Sequence, residues 1–165
     1  MIRFSFFIFC LSACLPSWGA NSSYTCEEVG SNSDKFTIPL FCILDSGEKI
    51  YYSYHAAKED AKKNHKWGVF VFFNPSPEPR WDDMTKIRQC FPEDIASMCN
   101  FVILQPGLVS PKDFYPKMDP MMSHMADFRY HFPDLDLEKP CVLFVALHSG
   151  KEEVCTTIPY CLDEI

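Results

Sequence analysis

A thiol can attack a disulfide, hold a soft metal or pair with another thiol, and this sequence carries nine cysteines. Two of them, Cys10 and Cys14, lie in an apolar leader-like stretch. The other seven are Cys26, Cys42, Cys90, Cys99, Cys141, Cys155 and Cys161. Seven is odd, so at least one thiol is free or bridges between chains. No C-x-x-C occurs, and the spacings do not fit a zinc ribbon. In an exported chain such cysteines point to disulfides. The short loops predict Cys26–Cys42 and Cys90–Cys99, with one bridge among Cys141, Cys155 and Cys161. A second chemistry-bearing group is Met118, Met121, Met122, His124 and Met125, whose thioethers and imidazole suit copper(I). Helical spacing puts the four methionines close to one face, which is also the pattern of a core-packing helix. Core packing is the stronger expectation, so no metal or other cofactor is assigned.

The first residues carry an export pattern. Met1-Ile2-Arg3 is a short basic start, Phe4 to Leu11 is apolar, and Ser17-Trp18-Gly19 puts small residues at signal-peptidase spacing. The expected division is a signal over 1–19, an entry segment over 20–34 and one domain over 35–165. Leu11-Ser12-Ala13-Cys14 resembles a lipobox, and acylation of Cys14 after a signal of residues 1–13 is the alternative. Export places the chain outside the cell, in a periplasm or in the lumen of the endoplasmic reticulum. Asn21-Ser22-Ser23 is a glycosylation sequon for the eukaryotic case. A membrane contact is expected only if Cys14 is lipidated. Removing residues 1–19 takes Arg3 and no acid from 15 basic and 22 acidic residues, moving the net charge from −7 to −8. That balance argues against nucleic acid as a partner.

A third group is the run Asn74-Pro75-Ser76-Pro77-Glu78-Pro79-Arg80-Trp81. It follows an apolar strand-like segment, Trp67 to Phe73, and precedes a helix-like segment near Asp82. Open α/β folds place their chemistry at the carboxyl ends of strands. Yet this loop has no cysteine, histidine or glycine. His148-Ser149-Gly150 is not part of a hydrolase triad, because no G-x-S-x-G is present.

The elements around the loop alternate. Phe36–Leu44 predicts an edge strand with Pro39 in it, and Lys49–Tyr54 extends a hairpin across the turn at Asp45–Glu48. Ala56–Lys66 predicts a helix. Trp67–Phe73 predicts a strand buried on both faces. Asp82–Cys90 and Glu93–Cys99 predict two helical pieces interrupted by Pro92. Phe101–Leu104 predicts a second buried strand, and Met121–Phe132 a helix. Cys141–Leu147 and Glu152–Ile158 predict a hairpin turning at His148–Lys151. The fold class is α/β with mixed strand directions.

Three stretches resemble the thioredoxin-like superfamily, in its secreted and periplasmic forms. Ala57-Lys58-Glu59-Asp60-Ala61-Lys62-Lys63-Asn64-His65-Lys66, leading into Trp67 to Phe73, resembles that family's helix and central strand. Phe91-Pro92-Glu93-Asp94-Ile95-Ala96 with Asn100-Phe101-Val102-Ile103 resembles its second helix end and following strand. Lys139-Pro140-Cys141-Val142-Leu143-Phe144, then Ser149-Gly150-Lys151-Glu152, resembles the cis-proline strand and its hairpin. The resemblance implies a three-layer α/β/α domain with a mixed central sheet. It also implies that the redox cysteines would stand near Pro77 and Arg80. Proline and arginine can neither attack nor resolve a disulfide, so dithiol activity is not carried over. The expectation is a non-catalytic binding or chaperone-like module for a protein or peptide partner. Its groove would be built from Pro75, Ser76, Pro77, Glu78, Arg80, Trp81, Lys139 and Pro140. The alternatives are a single-cysteine thiol enzyme using Cys141 and a copper-handling protein using the Met/His helix.

Overall fold

A computed structural model describes residues 39–44, 47–77, 91–109, 119–148 and 150–159. The elements in chain order are β1 (Phe41–Ile43), β2 (Lys49–Tyr51), α1 (Tyr54–Lys63), β3 (Gly68–Phe73), α2 (Glu93–Ser97), β4 (Cys99–Leu104), α3 (Pro120–His131), β5 (Cys141–His148) and β6 (Lys151–Pro159). The strands form one six-stranded mixed sheet in the order β1-β2-β4-β3-β5-β6. β2, β4 and β3 run parallel to one another, whereas β1 is antiparallel to β2, β5 to β3 and β6 to β5.

β3 sets the arrangement. All six of its residues are buried, as the sequence Gly-Val-Phe-Val-Phe-Phe requires. It is paired on both sides, parallel to β4 from Gly68 to Phe73 and antiparallel to β5 over the same residues. Alternate side chains point to opposite faces of a strand. Phe73 faces α3, where it stacks on Phe128 with ring centroids 6.1 Å apart. Phe70 faces the other way and meets Phe91 at 4.6 Å and Phe144 at 4.7 Å. Gly68 is glycine because β5 leaves no space there. A Cβ would collide with the Val145 carbonyl oxygen and sit 2.8 Å from the Phe144 ring.

α1 begins at a Ser53 cap, whose hydroxyl accepts from the Ala56 N–H at 3.3 Å. Its buried face is Tyr54, Ala57, Lys58 and Ala61. The lysine on that face is unusual. α3 begins at Asp119, which accepts from the Met121 N–H at 2.9 Å, with Pro120 in the first turn where no N–H is needed. Met121, His124, Met125 and Phe128 form its inner stripe at spacings of three and four.

The observed bounds sharpen several expectations. The first strand spans only Phe41–Ile43, leaving Pro39 ahead of it. The second stops at Tyr51, because Tyr52 and Ser53 turn to donate to Leu40. The helical piece at Glu93 ends at Ser97, and Cys99 opens β4 instead. The expected helix at 82–90 lies outside the described residues, as does the stretch 110–118 between β4 and α3. The export segment and the entry segment also lie outside them. Among the described residues, no helix is long and apolar enough to cross a membrane.

Gly68→Ala is expected to lower unfolding stability by about 1–3 kcal/mol, the usual cost of overpacking a filled site. Urea denaturation of the two proteins measures it.

Candidate functional site

The carboxyl ends of β3 and β4 carry two polar residues with no exposed surface, Asn74 and Gln105. The Asn74 N–H continues the ladder by donating to the Leu104 carbonyl at 2.9 Å. The Asn74 side-chain oxygen accepts from the Ser76 N–H at 2.9 Å, a turn that asparagine favours. The Gln105 amide donates to the Ser76 carbonyl at 3.2 Å. Both backbone groups of Ser76 are therefore held by buried side chains from neighbouring strands. Pro75 and Pro77 flank it, each with a ring-fixed φ. Buried polar groups are costly unless bonded, so these contacts hold the turn in one geometry.

Pro140 directly precedes β5 and is half-buried, and Lys139 beside it is exposed. Cys141, the next residue, pairs with Phe73. Pro140 and the 74–77 turn thus extend from adjacent strands at one end of the sheet. A third segment meets them from β4. Gly107, at φ 73°, donates its N–H to the Asp119 carboxylate at 2.6 Å. Asp119 also caps α3, so one side chain ties this loop to the helix start. Of the expected groove residues, Pro75, Ser76, Pro77, Lys139 and Pro140 lie at this end of the sheet, beside the Phe73–Cys141 pair. Glu78, Arg80 and Trp81 lie outside the described residues.

The nearby thiol is unsuited to nucleophilic work. Cys141 is 4 % exposed, and burial, with the Asp136 charge adding to it, pushes its thiol up to about 11. A thiol that stays protonated at neutral pH is a poor nucleophile. Cys99 is likewise buried and pushed up to about 11 by burial, against the opposing pull of Lys66. No two cysteines of the described residues lie at bonding distance. Cys99, Cys141 and Cys155 are free thiols, so the structure forms no bridge from Cys99 to Cys90 or between Cys141 and Cys155. The register explains the second case: Cys141 pairs with Pro159, at the far end of β6 from the turn, several rungs past Cys155. Cys42 is buried. Cys26, Cys90 and Cys161 lie outside the described residues.

The described members of the methionine-rich group divide between core and surface. Met121 and Met125 are in the core at 0 % and 3 % exposure, whereas Met122 is 52 % exposed. The His124 Nε2 lies 3.0 Å from the Pro39 carbonyl, so that nitrogen carries the hydrogen. Burial lowers the His124 pKa, with the Pro39 contact opposing it. Met118 lies outside the described residues.

Two polar clusters were not anticipated. In the first, Glu152 at the start of β6 receives Lys58 Nζ at 3.0 Å on one oxygen. Its other oxygen takes the Tyr54 hydroxyl at 2.9 Å and lies 2.6 Å from His131 Nε2. Burial alone would raise the carboxyl pKa. The hydrogen bonds from Lys58, His131 and Tyr54, with the Lys58 charge, outweigh it and bring the pKa to about 2. The Tyr54 hydroxyl is pushed well above its ordinary range, by burial first and then by Glu152. The clue in the sequence was Lys58, which falls on the same helical stripe as Tyr54 and Ala61. In the second cluster, Asn100, 3 % exposed, donates to the Ala57 carbonyl at 2.7 Å and to Asp60 at 3.0 Å, and accepts from Lys66 at 2.7 Å. Burial would raise the Asp60 pKa, but bonds from Asn100, Tyr51 and Asn64 and the Lys66 charge hold it below its ordinary value. This cluster lines a cleft of about 340 Å³ at the opposite end of the sheet from the 74–77 turn. Both clusters tie α1 to the sheet.

No protein-family model matches the chain, and neither a curated protein nor a solved structure matches it.

The Glu152 cluster has a pH signature. Its folded pKa lies below the ordinary 4.5, so its contribution is complete above about 4.5 and is lost as pH falls toward about 2. Glu152→Gln is expected to cost about 2 kcal/mol at pH 6, the worth of hydrogen bonds to a charged group. The gap should narrow as pH falls through about 2 and close below it, as the native carboxyl itself becomes protonated. Urea unfolding of both proteins across that range checks it.

Proposed function

We propose that this chain is an exported thioredoxin-like protein that has lost the dithiol pair and binds extended polypeptide at the 74–77 turn and Pro140. The observation that carries this reading is the double hold on Ser76. A loop at the carboxyl end of the central strands keeps a fixed backbone, and Asn74 to Trp81 contains no cysteine or histidine. Rigid backbone beside a strand start is what strand-addition binding uses, because the order is already paid for before the partner arrives.

The three-layer thioredoxin-like assignment is supported by the strand arrangement. Parallel β2, β4 and β3 are followed by an antiparallel hairpin that opens one residue after a proline. Aromatic packing on both sides of β3 is consistent with covering layers on each face. A thiol enzyme acting through Cys141 is disfavoured by the burial and raised pKa of that thiol. A copper-handling role is disfavoured by the use of Met121 and Met125 in the core.

Backbone NMR of the full chain, with and without an unfolded polypeptide such as reduced and carboxymethylated lactalbumin, tests the reading. Chemical-shift changes at Asn74, Ser76, Lys139 and Cys141, with insulin reduction at background, are the expected result. Insulin turnover that disappears in Cys141→Ser would sink it, as would shift changes confined to other surfaces.

A further inference from the structure

β2 and β4 pair at two positions only, Ile50 with Phe101 and Tyr51 with Val102. β4 itself begins two residues earlier, at Cys99. The two strands part there, and a cleft of about 340 Å³ opens between the β1–β2 turn, the end of α1 and the start of β4. Small-molecule sites span about 300–1,000 Å³.

Asn100 lines this cleft and is 3 % exposed. Its amide donates to Asp60 at 3.0 Å, and its oxygen accepts from Lys66 Nζ at 2.7 Å. The acid and the ammonium are thus held on either side of one amide. Among the described residues they form no direct ion pair with one another. Burial opposes ionisation of Asp60, but the bonds it accepts and the Lys66 charge outweigh it, so it is charged at neutral pH. Its carboxylate takes donors from Asn100, Tyr51 and Asn64, and a carboxylate has room for about four. Lys66 places one proton on Asn100 and another on the Cys99 carbonyl at 3.4 Å. Its third proton has no acceptor among the described residues.

We propose that this cleft binds a free α-amino acid with an apolar side chain, its ammonium group on Asp60 and its carboxylate on Lys66. An amino acid carries opposite charges on groups attached to one carbon, which matches two opposite charges spanned by one amide. A simple anion would sit beside Asp60 and a simple cation beside Lys66, each repelled at close range. The other charges lining the cleft, Glu48 and Lys49, also balance. Ile50, Ala96 and Phe101 line it as well and give an apolar side chain a surface to cover. The cleft lies at the start of β4 and the 74–77 turn at its far end, so this site is independent of the binding proposed there.

Amide NMR of the full chain titrated with L-leucine, L-valine and L-methionine tests the site. Saturable shift changes at Lys49, Asn64, Lys66 and Asn100 are expected with at least one of them. Its N-acetyl and carboxamide forms each lack one charge and should bind about tenfold more weakly, the worth of one hydrogen bond to a charged group. Asp60→Asn should weaken the amino acid about tenfold and leave the N-acetyl form unchanged, because that form no longer uses Asp60. A purely structural role for Asp60 would weaken both alike. Circular dichroism confirms that the variant is folded, and the blocked forms decide the question without it. The proposal is overturned if none of the three amino acids gives saturable shifts at these amides. Blocked forms that bind as tightly as their parent overturn it too, as does a folded variant that weakens both forms alike.

Discussion

The burial of β3 on both faces is the constraint on which the rest of the fold depends. Six residues without a formal charge, hydrogen-bonded to a strand on each side, must be covered above and below. Phe128 on α3 supplies part of one cover, and Phe91 part of the other. Because β3 and β4 are parallel and in register from end to end, their carboxyl ends emerge together. The turn at 74–77 and the segment after Gln105 therefore share one end of the sheet as a consequence of core packing. The antiparallel β5 brings Pro140 to the same end, since its first residue is opposite the last of β3.

Buried polar groups then fix what packing leaves loose. An apolar sheet tolerates small slips of a helix, whereas a bonded amide or carboxylate does not. Asn100 joins α1 to β4, Glu152 joins β6 to α1 and α3, and Asp119 joins the loop after β4 to α3. Asn74 and Gln105 do the same for the turn. Their targets differ in kind. The first three hold secondary structure in place, whereas Asn74 and Gln105 hold the backbone of Ser76 in the turn. Two fully buried polar side chains thus fix one partly exposed turn.

The sequence announced the strands well where a single rule governed them. Val69 to Phe73 reads as a doubly buried strand because nothing else accommodates that run. The inner stripe of α3 is legible in Met121, Met125 and Phe128, all three of which are buried. Lone polar residues were harder. Asn74, Asn100 and Gln105 each sit at a strand end or a strand start, where a loop residue and a buried anchor look alike in sequence. Lys58 and Glu152 lie 94 positions apart, and only the sheet order brings them to 3.0 Å. The bulge at Cys155 was also hidden, since alternation alone does not reveal an extra residue in an edge strand.

The central claim is that buried side chains hold the 74–77 turn rigid in the free protein. Amide hydrogen exchange at Ser76 tests it most directly. The account predicts that this amide is protected without any partner, and that Asn74→Ala abolishes the protection while the β3 amides stay protected. Exchange of the Ser76 amide at the rate of an unstructured peptide in the native protein would contradict it.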